Sequence, residues 1–352
     1  MTHEASATGS VRAFISAVER LRLAGPVTVV AKDGGALLQD LGERTWLRPW
    51  KGVAQLRRAA RIQPLAGSAP LVERWIADRV VCQVRPDVIY VNTVLSSEYV
   101  GVAHRRGVRA VLHVHEQEPL LSWALRRNRV DITRTETVVP ARIVADELTA
   151  LGCPKITVLP GPVDLSSTPR QLMDSPWPTG SHRVLTVASM LPEKGTDDIL
   201  EVADRLRRVG ERPVHYVWVG PGDRLATMRE VTRRKGLNVT WVSAVRNPLD
   251  YMAAADLFVL PTHRDVQPLV LLEAASMGTP CVAYASGGVP DLLNSEEALA
   301  PTGDIDALVD LVRESLQSAD RRHRLTAAAS VLLPEREQRH WQQRLWEVIG
   351  PS

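Results

Sequence analysis

Residues Asp256–Gly278 read DLFVLPTHRDVQPLVLLEAASMG. Leu257–Leu260 is a short, wholly apolar run stopped by Pro261, the pattern of a strand buried on both faces. Pro268 suits the first turn of a helix, where its missing N–H costs nothing. Leu269, Val270, Leu272 and Ala275 then give an apolar face at helical spacing. Unpaired amides at such a helix start, with the dipole behind them, form a ready anion site. Asp265 and Glu273 flank that start eight positions apart. Two carboxylates beside an anion site fit a ligand that carries phosphates and hydroxyls together.

Working outward, the strand–helix alternation extends along the whole chain and predicts α/β layers with mostly parallel sheets. In the C-terminal half, strands are expected at Val184–Ala188, Val214–Val219, Val239–Val242, Leu257–Leu260 and Cys281–Tyr284. Helices fit Asp197–Val209, Asp223–Arg234, Leu249–Ala254, Val270–Met277 and Ile305–Ser315. Gly220 and Gly222 read as turn glycines after a strand. In the N-terminal half, Val11–Leu23 and Ala141–Leu151 read as helices. Val27–Ala31, Val88–Val91, Ala110–Val114, Thr137–Pro140 and Ile156–Leu159 read as strands. The tail Pro334–Ile349 reads as a last helix, with Trp341, Leu345 and Val348 on one face. Pro160–Gly180 is rich in Pro, Ser and Gly and is the natural linker. The expected domains are therefore 1–165 and 183–333, with 166–182 between them and 334–352 free to cross back to the first.

The formal charge of +3 over 352 residues is small, and the basic residues are scattered as pairs such as Arg105-Arg106 and Arg126-Arg127. This argues against nucleic acid as a partner and leaves room for peripheral attachment to the inner membrane surface. Three isolated cysteines without metal spacing suit a reduced, cytoplasmic chain. No apolar run approaches the ~18 residues of a membrane span.

The C-terminal half resembles the nucleotide-binding domain of the family 4 glycosyltransferases from about Val184 to Leu293. Its acidic pair is similar to Asp265 and Glu273 within DVQPLVLLEAASMGTPCVAYASGGVPDLL, and its phosphate-binding turn to ASMLPEKGTDDIL, with Lys194 in the lysine position. The N-terminal half resembles the acceptor domain on two segments. HEASATGS is similar to a glycine loop facing the donor phosphates, with Gly9 in the key position, and VLHVHEQE to a strand-end histidine, His115. Many family members carry an arginine where this chain has Met190.

The resemblance implies the GT-B fold, two Rossmann-like domains whose parallel sheets face across a cleft. It implies a retaining transferase that moves a sugar from a nucleotide-diphosphate donor to a hydroxyl acceptor, without a metal or other cofactor. Glu273 would then hold the ribose diol, Lys194 and the amides of Leu269 and Val270 the diphosphate, and Asp265 and His115 the reacting sugar. Acceptor choice would sit around Glu116–Asn128. A GT-B epimerase and a non-catalytic nucleotide-sugar-binding scaffold are the competing readings. Only Met1–Ala7 precede Thr8-Gly9, so the first central strand of the N-terminal domain is expected to be missing and to be encoded upstream of Met1.

Overall fold

The computed structural model describes residues 9–30, 69–163, 174–293, 295–331 and 333–350. The chain divides into two compact units, Met1–Pro162 with Gln338–Ser352, and Val163–Glu337. The expected missing strand ahead of Thr8-Gly9 falls outside the described residues, as do Ala31 and part of the expected linker.

The first unit runs α1 (Gly9–Arg22), α2 (Ala69–Val84), β1 (Val88–Val91), α3 (Glu98–Arg106), β2 (Arg109–His113), α4 (Leu120–Asn128), β3 (Glu136–Val139), α5 (Arg142–Ala150) and β4 (Lys155–Val158). Its described strands form one sheet in the order β1-β2-β3-β4, each pair parallel. The register sets Val91 opposite Leu112, so the residues just beyond β1 and β2 emerge side by side. The strand expected at Val27–Ala31 is reduced, over its described residues, to a single bridge position at Val29.

The second unit runs β5 (His182–Val187), α6 (Thr196–Arg205), β6 (Arg208–Val209), β7 (Arg212–Val219), α7 (Leu225–Lys235), β8 (Val239–Val242), α8 (Leu249–Ala254), β9 (Leu257–Leu260), α9 (Leu269–Ser276), β10 (Cys281–Tyr284), α10 (Pro290–Leu293), β11 (Leu299–Ala300), α11 (Ile305–Gln317), α12 (Ala319–Ser330) and α13 (Leu333–Arg336). The parallel strands lie in the order β8-β7-β5-β9-β10-β11, the doubly wound dinucleotide-fold arrangement. All four residues of β9 and of β10 are buried, as strands covered by helices on both faces must be. The order reverses between β5 and β9, and ligands of such sheets bind outside the carboxyl ends at that switch point.

Three sequence expectations shift here. The helix expected over Asp197–Val209 stops at Arg205. Arg208–Val209 instead pairs antiparallel with β7 through a tight turn at Gly210, whose φ of +59° favours glycine. Trp177, in the stretch read as linker, packs into the second unit's core and donates its indole N–H to the Val184 carbonyl at 3.3 Å. The tail helix breaks at Glu337, which bridges to Val163, before the chain resumes as α14 (Gln338–Ile349). In α14, Trp341, Leu345 and Ile349 are buried against Phe14, Val18 and Tyr90 of the first unit, while Val348 is only partly buried.

Candidate donor site and strand-end histidines

Beyond β5 the chain forms a short turn at Pro192–Lys194 and enters α6 through Gly195. Beyond β9 it forms the loop that carries Asp265. The two loops are knit together where His263 N–H donates to the Glu193 carbonyl at 2.9 Å, and β5 and β9 beneath them where Thr186 Oγ1 donates to the Val259 carbonyl at 2.7 Å. Gly195 permits this. A Cβ there would lie 2.0 Å from the Pro261 carbonyl oxygen, and its φ of +82° is itself a glycine conformation. A third loop closes from β10, where Gly288 N–H donates to the Asp265 carbonyl at 3.0 Å and a Cβ on Gly287 would meet that same oxygen at 1.9 Å.

These constraints place Lys194 Nζ 2.5 Å from Asp265 Oδ2, with only 22% and 21% of the two side chains exposed. Asp265 Oδ1 accepts the Gln267 N–H at 3.1 Å, which fixes the carboxylate in the turn. The sequence expectation gave the lysine to the diphosphate and the aspartate to the sugar as separate groups. The structure joins them in one ion pair at the switch point.

Leu269 and Val270 open α9, and no side chain caps this helix. Pro268 occupies the cap position rather than the first helical turn. Glu273 sits just past the first turn, 8% exposed, among Leu272, Ala274 and Ala275. Met190 is a core residue, wholly buried, and a Cβ on Gly222 would come within 2.7 Å of its own Cβ. A cation at this position would have to leave the core to reach a ligand. The neighbouring partly exposed loop position is Ser189.

A second set of polar contacts braces the same region. Asp198 Oδ2, in the first turn of α6, accepts from Tyr284 Oη at 2.8 Å and lies 2.9 Å from His263 Nε2. Burial, with the carboxylate second, pushes the Tyr284 phenol up. Sequence spacing gave no signal for this trio, because its members come from three different elements.

In the first unit, His113 closes β2 and His115 follows it, their rings 4.0 Å apart. His113 Nδ1 lies 2.5 Å from Tyr90 Oη, and His115 Nε2 lies 3.3 Å from Asn92 Oδ1. An amide oxygen can only accept, so this contact calls for a proton on His115 Nε2 with Asn92 in this orientation. Glu116 ties the loop down: its carboxylate accepts from Val94 N–H at 3.2 Å, from His115 N–H at 3.0 Å and from the Thr93 hydroxyl. Asn92 and Thr93 were not legible as site residues. The clue is the parallel register, since they follow β1 as His115 follows β2. Gly9 is the first residue of α1; the loop before it lies outside the described residues.

Burial holds both imidazoles below their usual range, His115 at about 4, and the neighbouring His115 depresses His113 further. The sign follows. The unfolded chain binds protons at these residues below about pH 6.5 while the folded one does not. Their stability contribution is therefore complete above about pH 6.5 and is lost as pH falls toward 4. The melting temperature of the first unit should drop between pH 7 and pH 4.5, and His115→Gln should flatten part of that slope. A melting temperature that is level or rises on acidification would count against the buried neutral pair.

A cavity of about 740 Å³ lined by Phe14, Val18, Pro86, Val88, Arg109 and Trp346 opens at the amino ends of β1 and β2. Ligands of parallel sheets bind at the opposite ends, so it is not part of the donor site.

The family model for group 1 glycosyl transferases matches residues 168–331, and that for Glycosyltransferase Family 4 matches residues 8–167. A 2-deoxystreptamine N-acetyl-D-glucosaminyltransferase of Streptomyces fradiae is 33% identical over 161 residues, 44% of this chain and 38% of that protein. The amylovoran biosynthesis glycosyltransferase AmsK of Erwinia amylovora is 28% identical over 248 residues, 64% of this chain and 57% of that protein. The chain thus spans about two fifths to somewhat over half the length of these curated relatives. Among solved structures, Anabaena Alr3699/HepE in complex with UDP has a TM-score of 0.74 at 16% identity, covering 98% of this chain and 97% of that one. The lipopolysaccharide outer core galactosyltransferase WaaB has a TM-score of 0.75 at 15% identity, covering 99% and 97%. The fold is GT-B. The chain belongs to the family 4, group 1 glycosyltransferases, a family of sugar-transferring enzymes.

Proposed function

We propose that this chain transfers a sugar from a nucleotide-diphosphate donor to a hydroxyl acceptor with retention of anomeric configuration. The observation that carries the reading is the Lys194–Asp265 pair at the β5/β9 switch point, beside the uncapped start of α9. The donor's diphosphate would draw Lys194 away from Asp265 and settle on the amides of Leu269 and Val270. Asp265, released toward the sugar, would accept hydrogen bonds from its hydroxyls. Glu273 would take the ribose diol. As the glycosidic bond breaks, negative charge grows on the leaving diphosphate. Lys194 and the helix amides stabilise that charge in a site that does not reorganise. The leaving phosphate oxygen then accepts the acceptor hydroxyl's proton on the same face. His115 would stabilise the positive charge that develops at the anomeric carbon or position the sugar. No metal takes part in these steps.

The relatives' names include GDP-mannose-dependent transferases, and several of the solved neighbours hold UDP. A thermal-shift screen of UDP, GDP, ADP and dTDP therefore comes first, because a binder at 100 times its Kd adds about 2.7 kcal/mol. For the nucleotide that binds, Glu273→Gln is expected to weaken affinity roughly 10- to 150-fold with an unchanged melt, from loss of a charge-assisted bond of about 1.5–3 kcal/mol. Unchanged calorimetric affinity would sink the ribose assignment. Release of free sugar from the donor, or its absence, separates a transferase from a non-catalytic binder.

A further inference from the structure

Three rings and one amide meet at the carboxyl end of the first sheet. Side chains alternate along a strand, and the register sets Val91 opposite Leu112. Tyr90 and Asn92 therefore lie on the same face as His113 and His115. Tyr90, Asn92 and His113 are buried, and His115 alone is partly exposed. The His113 and Tyr90 ring centroids are 5.9 Å apart, and the His113 ring lies against that of His115 at 4.0 Å with a tilt of 34°. Polar groups packed this deeply need a partner for each proton.

The distances leave few ways to place those protons. Tyr90 Oη lies 2.5 Å from His113 Nδ1 and 3.4 Å from Asn92 Oδ1, and His115 Nε2 lies 3.3 Å from that same oxygen. His113 Nε2 meets no hydrogen-bond partner among the described residues. Burial keeps both imidazoles neutral at pH 7 and the phenol protonated, so each ring has one proton to donate. With its proton on Nδ1, His113 donates to Tyr90 Oη, Tyr90 donates to Asn92 Oδ1, and His115 Nε2–H donates to the same oxygen. Three hydrogen bonds form, and only a lone pair on His113 goes unmet. The reverse direction turns the Asn92 amide over, moves the His115 proton to Nδ1 and strands an N–H on buried His113 Nε2. Orphaned buried N–H groups are rarer in folded proteins than under-used acceptors, which favours the first direction.

We propose that Tyr90 and Asn92 are positioning residues for His115: with the His113 ring they fix its rotation and hold its proton on Nε2, leaving Nδ1 as its basic nitrogen. The inference rests on the reading of His115 as the residue that meets the reacting sugar. A neutral imidazole meets growing positive charge favourably through its lone pair and unfavourably through its N–H. Holding one tautomer therefore matters as much as holding the ring in place. Glu116 does not do this, since it holds the His115 backbone N–H and not the ring.

The test begins with the full chain carrying isotope-labelled histidine, read at pH 7 by long-range proton–nitrogen correlation NMR. His113→Gln and His115→Gln assign the two rings. Nδ1–H is expected on His113 and Nε2–H on His115. No donor is needed, so this result and the transferase reading fail separately. Asn92→Leu, of similar size, should lower turnover about 10- to 100-fold, the cost of a slightly misplaced reacting group, at unchanged nucleotide affinity. Asn92→Asp, whose carboxylate only accepts, should keep the His115 tautomer and recover most of that turnover. Tyr90→Phe should mix the His115 tautomers and lose turnover in the same way. Should a variant fail to fold, the tautomers of the native chain still decide. Reversed or mixed tautomers in the native chain, native turnover by Asn92→Leu, or Asn92→Asp as slow as Asn92→Leu would each overturn the proposal.

Discussion

Lys194→Ala should lower turnover about 10²- to 10³-fold, the range seen when one preorganised donor to a developing charge is removed. The native chain holds Lys194 Nζ 2.5 Å from Asp265 in a largely buried pair. Removing the lysine therefore has two effects, and they can be separated. The first is chemical: the leaving diphosphate loses its nearest cation. The second is structural: Asp265 keeps its charge with no counterion, which costs stability when one partner of a mostly buried pair is removed. Lys194→Ala/Asp265→Asn relieves only the second effect. It should recover the melting temperature of the native protein and remain as inactive as the single variant. Asp265→Asn alone should bind the nucleoside diphosphate at least as tightly as the native chain, since Lys194 no longer has to leave a carboxylate. Single-turnover rates and calorimetry on the four proteins check this. Turnover by Lys194→Ala within about 10-fold of native would remove the lysine from the chemical step.

The other large effect is on stability. Gly195→Val is expected to destabilise the second unit by about 2–5 kcal/mol, adding left-handed backbone strain to overpacking. The added Cβ would sit 2.0 Å from the Pro261 carbonyl oxygen and 2.8 Å from its carbonyl carbon, both stiff backbone atoms. Against a typical stability of ~5–15 kcal/mol, such a loss leaves the unit marginal. Gly236→Ala is the control. It has φ +59° with nothing within 4 Å, so it bears the backbone strain alone and should cost about 1–2 kcal/mol. Urea midpoints for the two variants give the steric part by difference. Equal losses would mean that the β5 and β9 loops are not pinched together as described.

The strands of the second unit were legible because burial on both faces leaves a plain signature. Leu257–Leu260 and Cys281–Tyr284 are short apolar runs, and the structure places those strands at these limits. α2 was not legible. APLVERWIADRVVCQV spreads its apolar residues around much of the circumference, and its valines are indifferent helix formers. The break at Glu337 also left no local mark, because a bridge to Val163 made it. In the site, residue types could be assigned from the acidic pair and the lysine turn, but their pairing could not. Lys194 and Asp265 are 71 residues apart, and what joins them is the close approach of the loops at Gly195. Met190 shows the reverse case, where a position at which the family resemblance leads one to expect an arginine lies in the core.

The return of α14 to the first unit has a consequence for how the protein is made. Arg109 Nη1 and Nη2 donate to the last carbonyls of the chain's final turn, Val348 at 2.6 Å, Ile349 at 3.2 Å and Gly350 at 2.7 Å. Trp341, Leu345 and Ile349 complete a core begun by Phe14 and Val18. Between them the chain lays down the whole of Val163–Glu337, 175 residues. At about 5–20 residues per second, a ribosome needs roughly 9–35 s to cross that interval. Until it ends, the core around α1 lacks Trp341, Leu345 and Ile349, and the intervening unit has its full sequence before α14 is translated. The first unit is thus completed only after the whole of the second has been synthesised.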